Sequence, residues 1–167
     1  MEYDCFPTRF GFVGILKTEK GFSHLLSPER NKSIILEKMK KFCQNCEKKK
    51  FSFLRKDLEN YFAGNPAGRQ TDFNYELDLH EFSSFTRAVF AVTRTILYGE
   101  TRSYQWIAEK VGSPKAWQAV GQALRKNTLP IIIPCHRVIM ANGNLGGFSF
   151  GLEWKTRLLE LEKVILT

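Results

Sequence analysis

The chain has 167 residues, a hydrophobic content of 43% and 14 phenylalanines, enough apolar material for one ordinary domain or two small ones. Its first residues are acidic, and no apolar run approaches the roughly 18 residues that span a bilayer. Four cysteines are too few for a secreted disulfide scaffold of this size. We therefore expect no signal peptide and no membrane span. The composition predicts a soluble cytoplasmic protein whose cysteines are reduced.

The formal net charge of +8 is concentrated in one part of the chain. Residues 87–137 contain eight Lys or Arg and two Glu, a net charge of +6 in 51 residues. Such a basic stretch suits a polyanion, and nucleic acid is the commonest polyanion. A basic surface without a partner would have the same composition.

The first half of the chain alternates short apolar stretches with turn signals such as Gly21. Ile35, Met39 and Phe42 are spaced for one face of a helix. The predicted elements, in chain order, are strands at 10–16 and 22–26, helices at 32–46 and 51–63, a break at 65–68 and a strand at 73–79. This half is predicted to be an α+β domain.

From Ser83 onward the sequence takes a helical period, and each predicted helix begins at a residue suited to capping. Ser83 precedes the first helix, which ends at Gly99, and Ser103 precedes a short second helix, which ends at Gly112. Ser113, followed by a proline, then begins a third helix that runs to about residue 126. The last two helices, joined by a short glycine-containing turn, are a candidate helix-turn-helix.

The third of these helices has two different faces. Polar side chains recur at spacings of three and four along one of them: Lys115, Gln118, Gln122 and Arg125. The opposite face is predicted to belong to the core: Trp117, Val120 and Leu124. The polar face fits contact with DNA, and it fits an ordinary solvated helix as well.

Cys135 follows a buried-looking run and a proline, which makes the chain turn rigidly just before the thiol. His136 and Arg137 come next. A free cysteine is only about 3% thiolate at neutral pH. We expect the neighbouring imidazole and guanidinium to raise that fraction and to make Cys135 a nucleophile. The alternative is a structural cysteine beside a capping histidine.

Several segments of the second half resemble one family. Residues 133–138, Ile-Pro-Cys-His-Arg-Val, resemble the active-site motif of the O6-alkylguanine-DNA alkyltransferases. The likeness extends to 99–104, 113–116, 119–125, Asn127, 142–143 and 146–152, and it covers residues 82–162. The resemblance implies an α+β fold in two domains. Residues 1–80 would form a small antiparallel sheet with helices, similar to ribonuclease H, and 81–167 a mostly helical winged helix-turn-helix.

The same resemblance implies a mechanism. Cys135 would take the alkyl group from a guanine flipped out of the minor groove. His136 would act as base through a bound water, Glu162 in the C-terminal helix would orient His136, and Tyr104 would donate its hydroxyl to the guanine ring. The remaining implied substrate contacts are Val138, Ser149, Phe148, Leu124 and Asn127. The product is a thioether, so each molecule would act once.

The implied partner is double-stranded DNA that carries O6-alkylguanine, bound by a monomer without a cofactor. The implied DNA contacts are Lys115, Gln118, Gln122, Arg125 and Arg137. No metal is predicted, since a single Cys43-x-x-Cys46 pair lacks the second ligand pair that zinc requires.

Two positions depart from the family pattern. Gln118 stands where the family usually has an arginine that fills the gap left by the flipped base. Phe150 stands where many members have a small residue, so we expect a tighter pocket that accepts methyl and resists benzyl. Three other functions fit parts of the sequence: an unreactive sensor of alkylation damage, a helix-turn-helix transcription regulator, and a cysteine hydrolase.

Overall fold

A computed structural model describes residues 1–65 and 72–164, and the chain forms two compact units, Met1–Asp78 and Leu79–Thr167. Both units combine helices with small sheets, so the fold is α+β. No helix within the described ranges is both long and apolar enough to cross a membrane. Most of the predicted break at 65–68 lies outside the described residues.

The first unit is built on a four-stranded sheet with the order β3-β2-β1-β4. Its elements are β1 (Glu2–Thr8), β2 (Gly11–Thr18), β3 (Gly21–Glu29), α1 (Lys32–Lys40), β4 (Glu47–Lys48) and α2 (Ser52–Ala63). The strands β1, β2 and β3 pair antiparallel in sequence order, and β4 adds to β1 in parallel. The turn between β1 and β2 requires glycine. Gly11 has a φ of +126°, and a Cβ there would lie 2.5 Å from the Glu29 carbonyl oxygen.

The core of this unit lies between the sheet and α1. Leu16 of β2 packs with Ile35 and Met39 of α1 and with Cys5 of β1. The helix approaches β2 closely because Gly14 has no side chain. A Cβ at Gly14 would lie 2.7 Å from Ile35 Cγ2. The predicted strands at 10–16 and 22–26 and the helix at 51–63 are confirmed, with bounds shifted by a few residues.

Other expectations for this unit were wrong. The strand β1 was not predicted, and α1 ends at Lys40 instead of continuing to residue 46. Beyond that helix Cys43 and Cys46 form a disulfide with a Cα–Cα distance of 5.7 Å, so the expectation that all cysteines are reduced fails for this pair. Residues 73–79 form no strand, only an isolated bridge to β3 at Leu77.

The second unit is mainly helical. Its elements are α3 (Ser84–Arg94), β5 (Arg102–Ser103), α4 (Tyr104–Lys110), α5 (Trp117–Arg125), a 3₁₀ turn (Cys135–Arg137), β6 (Val138–Ile139) and α6 (Leu152–Leu161). Two of the three predicted caps are confirmed, because the Ser83 side chain accepts from the Thr86 amide and the Ser103 side chain from the Trp106 amide. The predicted cap at Ser113 was wrong, since Ala116 precedes the third helix and makes no side-chain cap bond. The helices α3, α4 and α5 pack against one another, and β5 pairs with β6 in parallel.

The helix α5 differs from its prediction in two ways. It begins at Trp117 rather than Ser113, because residues 111–116 form turns in which the Ala116 amide donates to the Ser113 carbonyl. Val120 and Leu124 are buried as predicted, but Trp117 is 44% exposed and does not belong to the core. The four polar residues predicted on the other face are exposed.

Candidate active site

Cys135 lies in a tightly turned segment that two irregular residues prepare. Ile131 has a φ of +76°, and Pro134 stands immediately before the 3₁₀ turn with a φ of −77°. Backbone hydrogen bonds from the Ile133 amide to the Leu129 carbonyl and from the Cys135 amide to the Ile133 carbonyl hold the approach. The Arg137 amide donates to the Pro134 carbonyl after the thiol, so the backbone fixes Cys135 on both sides.

The side chain of Asn127 organises this segment. Its Nδ2 donates to Cys135 Sγ at 2.9 Å and to the Ile133 carbonyl at 2.9 Å, while its Oδ1 accepts from the Leu129 amide. Asn127 is buried and does not line the pocket described below. The structure therefore places it against the nucleophile, and its contact with the substrate stays a prediction.

The thiol of Cys135 is protonated at rest. Burial raises the pKa of Cys135 to about 11, against the opposing effects of the Asn127 hydrogen bond, the charge of Lys155 and a hydrogen bond with Ser149. The expectation that His136 and Arg137 would raise the thiolate fraction was wrong. The proton must leave during the reaction rather than before it.

His136, Arg137 and Glu162 form a buried cluster behind the thiol. His136 Nε2 lies 2.7 Å from Glu162 Oε1, and Arg137 donates from Nε and Nη2 to the same carboxylate at 2.9 Å. Although burial raises the pKa of Glu162, the nearby His136 and Arg137 lower it overall, and the carboxylate is ionised. Burial lowers the pKa of His136, so a neutral imidazole stands beside Glu162 and Arg137 supplies the balancing charge.

Arg137 was predicted to contact DNA, and the structure corrects that prediction. It is 7% exposed, and its Nη1 donates to the Ile96 carbonyl at 2.7 Å while its other nitrogens bond Glu162. A guanidinium held in this way is not available to a phosphate. The position of Arg137, two residues after the cysteine, does not indicate that it pairs with Glu162. Glu162 lies in the turn after α6.

A pocket of about 430 Å³ opens above Cys135. Its lining comes from α5 (Trp117, Gln118, Gly121, Gln122, Leu124, Arg125), from the loop at 146–149, and from Tyr104, Cys135 and Met140. Of the predicted substrate contacts, Leu124, Phe148, Ser149 and Tyr104 line it, and Val138 does not. Phe150 packs edge-to-face on Phe148 at 5.6 Å and is not a lining residue.

Tyr104 and Gly146 both line this pocket and lie directly against each other. Gly146 has a φ of +68°, and a Cβ there would lie 2.7 Å from the Tyr104 hydroxyl, so only glycine fits. Burial first, and then the proximity of Cys135, raise the pKa of Tyr104, which outweighs the opposing hydrogen bond with Gly147. The hydroxyl therefore stays protonated and is a competent donor.

Lys155 is a site residue that the sequence did not suggest. It is fully buried, and its Nζ donates to the carbonyls of Val138 at 2.5 Å, of Gly147 at 3.2 Å and of Leu145. Burial lowers the pKa of Lys155 to about 8, so the ammonium still predominates at neutral pH. One of these acceptors, the Val138 carbonyl, belongs to a residue that the resemblance implied as a substrate contact.

The predicted DNA contacts on α5 divide into two groups. Gln118, Gln122 and Arg125 are exposed and also line the pocket, so the same helix face borders both solvent and the cysteine. Lys115 is exposed in the turn before α5 and stands outside the pocket. Among the described residues, no group of three or more His, Cys, Asp or Glu could hold a metal ion.

Fold and site define an α+β protein in which a buried, protonated cysteine lies at the floor of a pocket walled by an exposed polar helix. Residues 84–164 match the family described as 6-O-methylguanine DNA methyltransferase, DNA binding domain. A methylated-DNA--protein-cysteine methyltransferase from Methanosarcina barkeri is 38% identical over 163 residues, covering 98% of each chain. The chain belongs to this methyltransferase family.

Two further relatives differ in how much they share. A protein of the same name from Mycolicibacterium paratuberculosis is 50% identical over 106 residues, which cover 64% of this chain and only 61% of that protein. The crystal structure of Mycobacterium tuberculosis OGT in complex with DNA aligns with a TM-score of 0.79 at 35% identity, over 98% of this chain and 93% of that one. The likeness therefore extends through both units.

Proposed function

We propose that the protein repairs DNA by transferring the alkyl group of O6-alkylguanine irreversibly to Cys135. The observation that carries this proposal is the position of Cys135 Sγ at the floor of a pocket whose wall is the exposed polar face of α5. A substrate can reach the cysteine in such a pocket only from the side that would face DNA. The names of the relatives, one of them solved with DNA, support the same substrate class.

The transfer balances with the groups present. Sγ attacks the saturated carbon, an S–C bond forms, and the bond from that carbon to O6 breaks. The thiol proton passes through a water to neutral His136, which Glu162 holds at 2.7 Å. The departing guanine takes its proton from the Tyr104 hydroxyl and leaves as a neutral base. Because burial raises the pKa of the resting thiol to about 11, its proton must be removed during the transfer.

The product explains why the reaction ends after one turnover. A thioether carbon is saturated, and water has no easy route to displace the sulfur, whereas an acyl-cysteine would be hydrolysed readily. A cysteine hydrolase built on the same residues would turn over. The protein is therefore consumed by each lesion that it repairs.

The parts of the fold suit this role. We infer that residues 81–167 form a winged helix-turn-helix in which α4 and α5 are the two helices and the β5–β6 pair is the wing, with α5 in the minor groove. Lys115, Gln122 and Arg125 would contact the backbone and Gln118 the flipped site. We infer that residues 1–80, with their antiparallel sheet and helices, form a ribonuclease H-like domain.

The size of the alkyl group is a separate proposal. Phe150 does not line the pocket, so any tightening would act through Phe148, against which it packs. We propose that methyl is accepted and benzyl is resisted. Inactivation of the protein by free O6-benzylguanine at low concentration would contradict this.

The deciding experiment uses duplex DNA with radiolabelled O6-methylguanine. We expect label to move to the protein, to reach one per chain and to be absent in Cys135→Ser, while Cys5→Ser, which changes the other free thiol, behaves as wild type. Lesion binding without transfer would indicate a damage sensor. Sequence-specific binding without transfer would indicate a transcription regulator.

A further inference from the structure

Trp117 is exposed at a place where the helix is otherwise polar. It is the first residue of α5, is 44% exposed and forms part of the pocket's lining. The other two tryptophans each face a basic side chain. Trp106 has Arg102 at 5.5 Å, and Trp154 has Arg157 at 5.4 Å. Within residues 1–65 and 72–164, no cation or aromatic ring stacks on Trp117.

Trp117 stands at the outer end of the pocket wall. Trp117, Gly121 and Leu124 are spaced by four and three residues and so lie in one row along α5. Exposure rises along this row from 5% at Leu124 to 44% at Trp117. At 1.5 Å per residue, the seven positions between the two ends correspond to about 10 Å along the helix axis. That distance exceeds the length of a purine ring system.

If the flipped base lies against Leu124, Trp117 lies at the other end of the row, beside the duplex that the base has left. Gly121 adds no side chain between the two ends of the row, and the nearest atoms to a Cβ there belong to Tyr104, at 3.8 Å. The indole thus stands clear at the pocket's rim, next to exposed Gln118. A glutamine offers hydrogen bonds but no ring to replace a lost base.

We propose that Trp117 stacks its indole on the base face that is uncovered when the alkylated guanine leaves the duplex. This rests on the proposed function above. Proteins that bind the minor groove frequently insert apolar side chains between base steps, and stacking of a base on an aromatic ring is insensitive to sequence. Trp117 is then a positioning residue for base extrusion and takes no part in the transfer itself.

The rate test compares two substrates, duplex DNA with O6-methylguanine and the free base O6-methylguanine, which has no stack to leave. We expect Trp117→Ala to lower the ratio of the duplex rate to the free-base rate by about 5- to 100-fold, the loss of one base–aromatic contact. Trp117→Phe should recover most of that ratio. Phe53→Ala, which removes an 82% exposed ring from α2, should leave the ratio unchanged.

An equal loss on both substrates would overturn the proposal, because it would indicate a structural role at the start of α5. If the wild-type protein accepts methyl from neither substrate, the proposed function itself fails. If the wild type reacts and the ratio is insensitive to Trp117, only the stacking role fails. The two failures are therefore distinguishable.

A second readout does not depend on reaction. In a Cys135→Ser background, tryptophan emission is followed as duplex with the lesion is added. Stacking on a base quenches indole emission, so we expect a quench that Trp117→Phe abolishes and that Trp106→Phe and Trp154→Phe retain. A quench that survives Trp117→Phe would overturn the proposal even if that variant bound DNA normally.

Discussion

Glu162→Gln changes a carboxylate whose two oxygens together join three parts of the active site. The Glu162 carboxylate accepts from His136 Nε2, from two nitrogens of Arg137 and from the Gly99 amide at 3.0 Å. A glutamine has the same shape, but its NH₂ group would face donors, and the charge that balances Arg137 would be gone.

The expected cost follows from burial. Removing one partner of a buried ion pair leaves an uncompensated charge and costs about 3–5 kcal/mol in the free energy of unfolding. Arg137→Met should cost a similar amount, because it leaves the Glu162 carboxylate without its balancing cation. The double variant Arg137→Met/Glu162→Gln contains neither charge, and the amide oxygen introduced by the second substitution would still accept from His136. We expect the two losses to be non-additive by about 2–3 kcal/mol.

Urea unfolding at pH 7 of the wild type, the two single variants and the double variant measures this coupling. Single-turnover methyl transfer from duplex DNA measures whether the active site still works. The transfer rate should recover in the double variant to the extent that folding does. A coupling near zero, or a Glu162→Gln protein within about 1 kcal/mol of wild type, would refute the assignment of Arg137 as the charge partner of Glu162. Lys163→Gln, next to Glu162 in the chain, is the matched control.

The Glu162 carboxylate also makes the stability of the protein depend on pH. The folded pKa of Glu162 lies below its unfolded value, so the carboxylate's contribution is complete above about pH 4.3 and is lost as the pH falls through the folded pKa. Acidification below about pH 4.3 should therefore destabilise the wild type more steeply than Glu162→Gln. Equal slopes would mean that Glu162 is not the depressed group.

Three further predictions concern the pocket and the thiol. In a Cys5→Ser background, the rate of Cys135 modification by iodoacetamide should still be rising at about pH 10, since its pKa is about 11, and a plateau near about pH 8.5 would contradict the burial effect. Gly146→Ala should slow methyl transfer by roughly tenfold or more by displacing the Tyr104 hydroxyl, and a crystal structure showing Tyr104 unmoved would contradict this. Asn127→Ala removes three hydrogen bonds of about 1 kcal/mol each, so the midpoint of urea unfolding should fall and the thiol pKa should rise, and an unchanged midpoint would contradict it.

The sequence predicted those features that depend on neighbouring residues. Ser83 and Ser103 cap their helices as expected, because a capping bond joins residues only three positions apart. The strand β1 was missed for the opposite reason. Its composition is mixed and includes Pro7, and it is stabilised by pairing with β2, from Glu2 opposite Lys17 to Thr8 opposite Gly11.

Three errors at the site have a common cause. Helical periodicity predicted that Trp117 belongs to the core. The period identifies one face of a helix, but it does not show how far along that face the residues are buried. Arg137 read as a DNA contact because its partner Glu162 lies 25 positions away. Lys155 was missed as a site residue because its carbonyl acceptors belong to loops that only folding brings together. Each depends on a contact that is long-range in sequence.

The high pKa of Cys135 is consistent with a nucleophile that can be used once. At a pKa of about 11, roughly one thiol in ten thousand is ionised at pH 7, about three hundredfold less than an exposed cysteine. Oxidants and stray electrophiles react with the thiolate, so burial preserves the site until a substrate arrives. Neutral His136 and protonated Tyr104 move protons only during the transfer. Hydrogen peroxide should therefore inactivate the folded protein much more slowly than it oxidises an unfolded chain of the same sequence. Equal rates would show that burial does not protect the thiol.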